Sequence, residues 1–294
     1  MWKKKHEPVS VAPSSGRQSV AGHAGCIHYR KVNTMGVYFK PEDIAELEAG
    51  LRKLNASRTD LLQRYLMYSY RTQIGEEHGK QGLGRRLGTM QRCVENVFEL
   101  LPPDFNEIPD KNSTKNAEIS IQAFVMNVFG CIENLAWVWA HEKGVTQPDG
   151  TPLDAVMIGL SEQKKFMWRS MRAELRQYLI DQKQWFSHIK NFRDSLAHRI
   201  PLYIPPYVVA PKNVEEYHRL ERRANEVLLA GHVEEYHRLM DEQRKLCFFR
   251  PWMTHSFLEK SPHVVFHAQL LADFITVVEL GGKMADELDM LAIN

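Results

Sequence analysis

Arg193, Asp194 and His198 are the residues whose types and spacing best support chemistry. A guanidinium opposes developing negative charge, an imidazole moves protons near neutral pH, and a carboxylate can orient either group. On a straight helix the step from Arg193 to His198 is about 140° round the axis and about 7.5 Å along it, so the two side chains diverge. They act together if the last turn unwinds, or if a twofold axis brings two copies of the helix together so that pairs from both chains share one pocket. A structural reading stands beside this one. In it, His198 caps carbonyls at a helix C-terminus and Arg193 lies over the core face with its head in water.

The element that must position these residues runs from Trp185 to Pro206. Trp185, Ile189, Phe192 and Leu196 recur at i, i+4, i+7 and i+11, which marks a helix that buries one side. Pro201 stops it near Ala197 to Arg199, because the residue before a proline avoids the α region. The tract PLYIPPY beyond is extended and polyproline-like.

The string Asn191-Phe192-Arg193-Asp194-Ser195-Leu196-Ala197-His198-Arg199 resembles the signature of the HEPN superfamily, an arginine followed a few residues later by a histidine. Asp194 fits the polar residue favoured directly after the arginine, and a small residue before the histidine with an arginine after it also looks typical. The resemblance covers about residues 118–207 plus a last helix at 263–291. It implies an α-helical bundle that dimerises with the motif helices facing one another and, in catalytic members, a metal-independent endoribonuclease without a cofactor. Carried over, Arg193 would hold the scissile phosphate, His198 would handle a proton, and Asp194 would hydrogen-bond within the pocket. The implied partners are a second copy of the chain, RNA as substrate and an antitoxin, in a toxin or phage-defence setting. The alternative is a catalytically silent HEPN-like module that binds nucleic acid or another ligand, or serves as a scaffold.

Just upstream, Lys165, Arg169, Arg172 and Arg176 fall within about 60° of one another on a helix opening at Ser161-Glu162. Met167, Met171, Leu175 and Tyr178 fall on a different face. A basic stripe of this kind is either a solvated face or a surface for a polyanion. With Lys190 and Arg199 beside the motif, these four make up the candidate RNA-binding set.

The remaining pattern is all-α. Pro41-Glu42-Asp43 opens a helix through Leu47, Leu54 and Leu61 to Tyr68. The glycine-rich string HGKQGLGRR then reads as an inter-helix turn, or as a cradle for an anion, before a second helix stopped by Pro102-Pro103. A long apolar helix spans about Glu118 to His141, and a final helix carries Val265, Leu271, Phe274, Val278 and Leu280. This gives a flexible arm at 1–36, a helical hairpin at 37–110, and a HEPN-like bundle at 111–294 with a charged insertion at about 212–260.

That insertion holds an identical heptapeptide twice, VEEYHRL at 214–220 and 233–239, separated by Gly231, which predicts a helical hairpin. Each copy spaces glutamate and histidine as in carboxylate di-metal bundles, Glu215 with His218 and Glu234 with His237. Flanking strings such as ERRANE favour a solvated hairpin over a metal site. CFFRPWMTH, at 247–255, could stack on bases or pack on the bundle.

Composition narrows the class. With 38 Lys and Arg against 36 Asp and Glu, the net charge of +2 argues for nucleic acid only through local clusters. Cys26, Cys93, Cys131 and Cys247 form no CxxC pair, which disfavours a thiolate metal site and a disulfide framework. The basic start MWKKKHEPVS runs into Pro, Ser and Gly, unlike a secretory leader. Asn127, Glu133 and Asn134 interrupt one apolar run, and Gln269, Asp273 and Glu279 the other, so no membrane span is expected and the chain reads as cytoplasmic. No dinucleotide fingerprint and no HExxH is present.

Overall fold

Helix α1 (Pro41–Met67) starts where the sequence places it. Proline occupies the first turn, and the Lys40 N–H donates to the Asp43 carboxylate at 3.2 Å. The computed structural model describes residues 38–256 and 261–293, and the predicted arm at 1–36, with Cys26, lies outside them. Leu47, Leu54, Leu61 and Tyr65 form the buried face of α1, and the Tyr65 hydroxyl donates to the Gly281 carbonyl of the last helix at 2.9 Å.

The glycine-rich string is a continuation of helix, not a turn. α2 (Gln73–Glu76), a π-helical segment (Glu77–Leu83) and α3 (Gly84–Leu100) follow one another without interruption. The glycines permit close approach: a Cβ on Gly79 would overlap the Tyr70 hydroxyl, and one on Gly82 would lie 2.5 Å from Asn134 Nδ2. Their N–H groups sit within helix, which removes the anion cradle. The chain turns earlier, at Tyr68 to Thr72. There the buried Glu142 carboxylate accepts from the Arg71 N–H at 2.8 Å and the Thr72 hydroxyl at 2.7 Å.

α4 (Lys111–Lys143) begins well before the apolar run. Asp110 caps it by accepting from the Asn112 and Ser113 N–H groups, so its first turns precede the helix start expected at about Glu118. It packs against α3, against the helix Lys183–His198 and against the last helix, Phe266–Ile293. By length and composition alone α4 is long and apolar enough to cross a membrane, and most of its apolar window is buried inside the protein.

The single helix expected from Ser161 is two helices, α5 (Lys165–Ser170) and α6 (Ala173–Asp181), with Met171 and Arg172 in extended conformation between them. Met167, Met171, Leu175 and Leu179 are all buried. A strict four-residue spacing drifts about 40° per step, so on one straight helix the four would spread over about 120°. The break resets the drift. It is fixed by Ser170, whose hydroxyl donates to the Met167 carbonyl and accepts from Trp139 Nε1.

α7 (Lys183–His198) and α10 (Phe266–Ile293) complete the main core, which runs from Leu47 to Leu288 through both predicted domains. Between them, α8 (Val214–Leu229) and α9 (Val233–Arg244) form the expected hairpin, turning at Gly231 with φ +81°. Its own small core is Leu220, Ala224, Val227 and Leu239. The neck is a two-stranded antiparallel ladder, β1 (Val208–Val209) with β2 (Cys247–Phe248). A second ladder pairs β3 (Trp252–Met253) with β4 (Val264–Val265). CFFRPWMTH packs: Phe249 and Met253 enter the main core, and the buried Arg250 lies over the Phe248 and Tyr38 rings.

Candidate functional site

α7 is set in the bundle by its buried face and by polar ties at both ends. Trp185, Ile189 and Phe192 are buried as their spacing predicts, and Leu196 is half-buried. Trp185 Nε1 donates to Asp273 of α10 at 2.9 Å, and Gln269 Nε2 donates to the same carboxyl at 2.7 Å. Burial pushes the Asp273 carboxyl up to about 7, with these two donors pulling the other way.

Beyond the helix, Gln122 Nε2 donates to the Leu202 carbonyl at 2.6 Å, and the Ile204 N–H donates to the Glu118 carboxylate at 3.0 Å. Phe129, further along α4, touches Arg193. α7 and its extension therefore run antiparallel to α4.

Arg193 lies with its guanidinium carbon 4.1 Å from the centroid of the Phe129 ring, a cation–π contact worth about 0.5–2 kcal/mol. One terminal nitrogen reaches Asp194 Oδ1 at 3.1 Å, while Lys190 Nζ holds Asp194 Oδ2 at 2.9 Å. Lys190 above all, then the Arg193 and His198 charges, hold the Asp194 carboxyl below its usual range. His198 is exposed at the last residue of α7 and lies within electrostatic reach of Asp194. Arg193 Nε is buried without an acceptor among the described residues, a state that costs about 1–3 kcal/mol.

No family model, curated protein or solved structure matches the chain. The functional reading rests on these side chains.

The last turn of α7 does not unwind before His198, so Arg193 and His198 remain apart within one chain, with Asp194 between them. Arg199 turns back along the helix and donates to the Asn191 side chain at 2.7 Å and to the Ser195 hydroxyl at 3.0 Å, closing the helix end. Of the upstream cations, Lys165 and Arg169 are exposed on α5 and Arg176 is half-buried on α6. Arg172, at the junction, pairs with the buried Glu287 of α10 at 2.9 Å. The structure thus gathers Lys190, Arg193, Asp194 and His198, and it does not align the other four on one helix face.

Sequence reasoning missed Phe129, Asp273 and His255. His255 is buried against Phe192, with its Nε2 3.4 Å from the Asn191 amide nitrogen. His188, on α7 itself, also packs on Phe192 and is pushed down to about 4 by burial, so it stays neutral at pH 7. In the hairpin, His218 pairs with Glu221 at 3.1 Å on its own helix, and His237 is exposed. Among the described residues no group of three or more His, Cys, Asp or Glu is placed to hold a metal ion.

Proposed function

We propose that the chain is a HEPN-like, metal-independent endoribonuclease that cleaves RNA by attack of its 2'-hydroxyl on the neighbouring phosphate. The observation that carries this reading is the setting of Asp194, held by Lys190 and Arg193 with the exposed His198 within electrostatic reach. The partly exposed guanidinium of Arg193 offers charge and donors to a phosphate. His198, exposed a turn away, takes the 2'-hydroxyl proton, and an imidazolium returns a proton to the departing 5'-oxygen. Arg193 opposes the charge that builds on the phosphorane-like transition state.

Because Arg193 and His198 diverge on one helix, the reading places the working site between two copies of α7 related by a twofold axis, each copy supplying one pair. The alternative, a silent binding module, is favoured by the same divergence if the chain is monomeric.

His198→Ala tests the assignment. His198 is exposed and holds no core contact, so helical circular dichroism and the size-exclusion profile should be unchanged while RNA cleavage is abolished. Cleavage equal to wild type overturns the assignment, and RNA binding without cleavage by wild type favours the binding module.

A further inference from the structure

We infer that Arg86 anchors a backbone phosphate of single-stranded RNA that crosses the exposed edge of α4, an inference that rests on RNA being the substrate in the reading above. Arg86, on α3, is half-buried against α4. Its Nε–H donates to Asn134 Oδ1 at 2.9 Å and its Nη1 to Asn127 Oδ1 at 3.3 Å, and among the described residues no carboxylate pairs with it. Arg64, also half-buried, is neutralised instead, by Asp286 at 2.8 Å and Asp289 at 2.6 Å. Arginine has donors only, so the Asn134 oxygen must face Arg86 and the Asn134 amide nitrogen must face His78 Nδ1, 2.8 Å away. That ring nitrogen is then an acceptor, and burial pulls the His78 imidazole below its usual range, so the ring is mostly neutral at pH 7. The Arg86 charge is held by neutral groups and cancelled by none of them.

Room for this guanidinium is built into α4. A Cβ on Gly130 would lie 2.3 Å from Arg86 Cζ, so glycine stands there at a cost of about 1 kcal/mol for its place inside a helix. The seat also adjoins the candidate site. Gly130 follows Phe129, on which Arg193 lies, and the two positions are about 100° apart round α4 and about 1.5 Å apart along it. The exposed Met126 and Glu133 point between them, about 60° and about 40° round from Phe129 toward Gly130. Two guanidiniums thus flank one solvent-exposed edge of the central helix, and a strand crossing that edge sets a phosphate at each. On the Arg86 side it meets half-buried rings: His78 stacks on Trp137 at 4.9 Å, and Trp137 on His141 at 5.5 Å. Cations beside aromatic rings hold single strands without sequence preference. Glu133, on the same edge, opposes a polyanion.

The test measures binding of a short labelled single-stranded RNA to the full chain carrying His198→Ala, so that the probe stays intact. Arg86→Gln is expected to weaken binding about tenfold and to reduce the slope of log affinity against log salt by about 0.7. Arg86→Lys disturbs the two asparagines equally but keeps the charge, and it should retain the slope, which separates a lost phosphate contact from a disturbed helix pair. Glu133→Gln should tighten binding. With His198 restored, Arg86→Gln should raise KM and leave kcat nearly unchanged. An unchanged slope in Arg86→Gln, an equal loss in Arg86→Lys, or no binding of RNA at all overturns the inference. So does AMP that binds as tightly as the RNA and depends on Arg86, which would assign the site to a free mononucleotide. Arg86-dependent binding by a wild-type chain that cuts no RNA leaves the inference standing and overturns only the ribonuclease reading.

Discussion

The end of α7 and the α8–α9 hairpin both carry histidine, arginine and carboxylate at helical spacing, and they use them in opposite ways. In the hairpin the charges answer one another. Arg219 takes both oxygens of Glu216 at 2.7 Å, Arg223 reaches Glu226 and Glu235 at 3.4 Å, and Arg238 reaches Glu242 at 3.4 Å. Such exposed pairs hold a solvated surface in register and do little else. At α7, one carboxylate is set among Lys190, Arg193 and His198, and a buried donor is left over.

The largest effect separates the two regions directly. His198→Ala should lower RNA cleavage by about 10²–10⁴-fold, whereas His218→Ala and His237→Ala leave it unchanged, as a labelled-RNA assay would show. A loss on changing either hairpin histidine would erase the distinction. Next comes the independence of the hairpin's core. Leu239→Ala should cost about 2–5 kcal/mol locally, opening the amides of α8 and α9 to hydrogen exchange while those of α7 stay protected. Phe192→Ala, about 3–5 kcal/mol, should lower the main thermal transition.

A third expectation concerns pH. Asp273 has a folded pKa of about 7 against an ordinary 3.8, so the native state binds the extra proton between those values. Its stabilising contribution is complete below pH 3.8 and is lost as pH rises through 7. Asp273→Asn should therefore remove a loss on the order of a few kcal/mol between pH 5 and pH 8 in urea titrations. His267, pushed down to about 4 by burial, has the opposite sign: its contribution is present above pH 6.5 and is lost as pH falls toward 4. The smallest effect lies in the hairpin, where Glu216→Gln should leave the unfolding midpoint unchanged within error.

Much of the frame was legible because single helices write their own signals. The Trp185, Ile189 and Phe192 face, the proline start of α1 and the stop before Pro201 each depend on neighbours in the chain. The π-helical segment was not legible: its glycines serve Tyr70 and Asn134, and without those partners they read as a break. The division at Met171 depends on which core its methionines must reach. For the candidate site, the motif residues could be named from sequence, but their partners could not. Phe129 is one of many apolar residues on α4, and Asp273 was read only as an interruption of an apolar run.

The ladder at the neck of the hairpin sets Val209 opposite Cys247, with the whole of α8 and α9 strung between them. The hairpin is thus a cassette on a two-stranded socket. A two-residue Asn-Gly link from Val209 to Cys247 would close the socket with the turn such ladders favour. The shortened chain would keep every contact described for Arg193, and the same socket would accept a foreign helical pair as a handle for labelling or display.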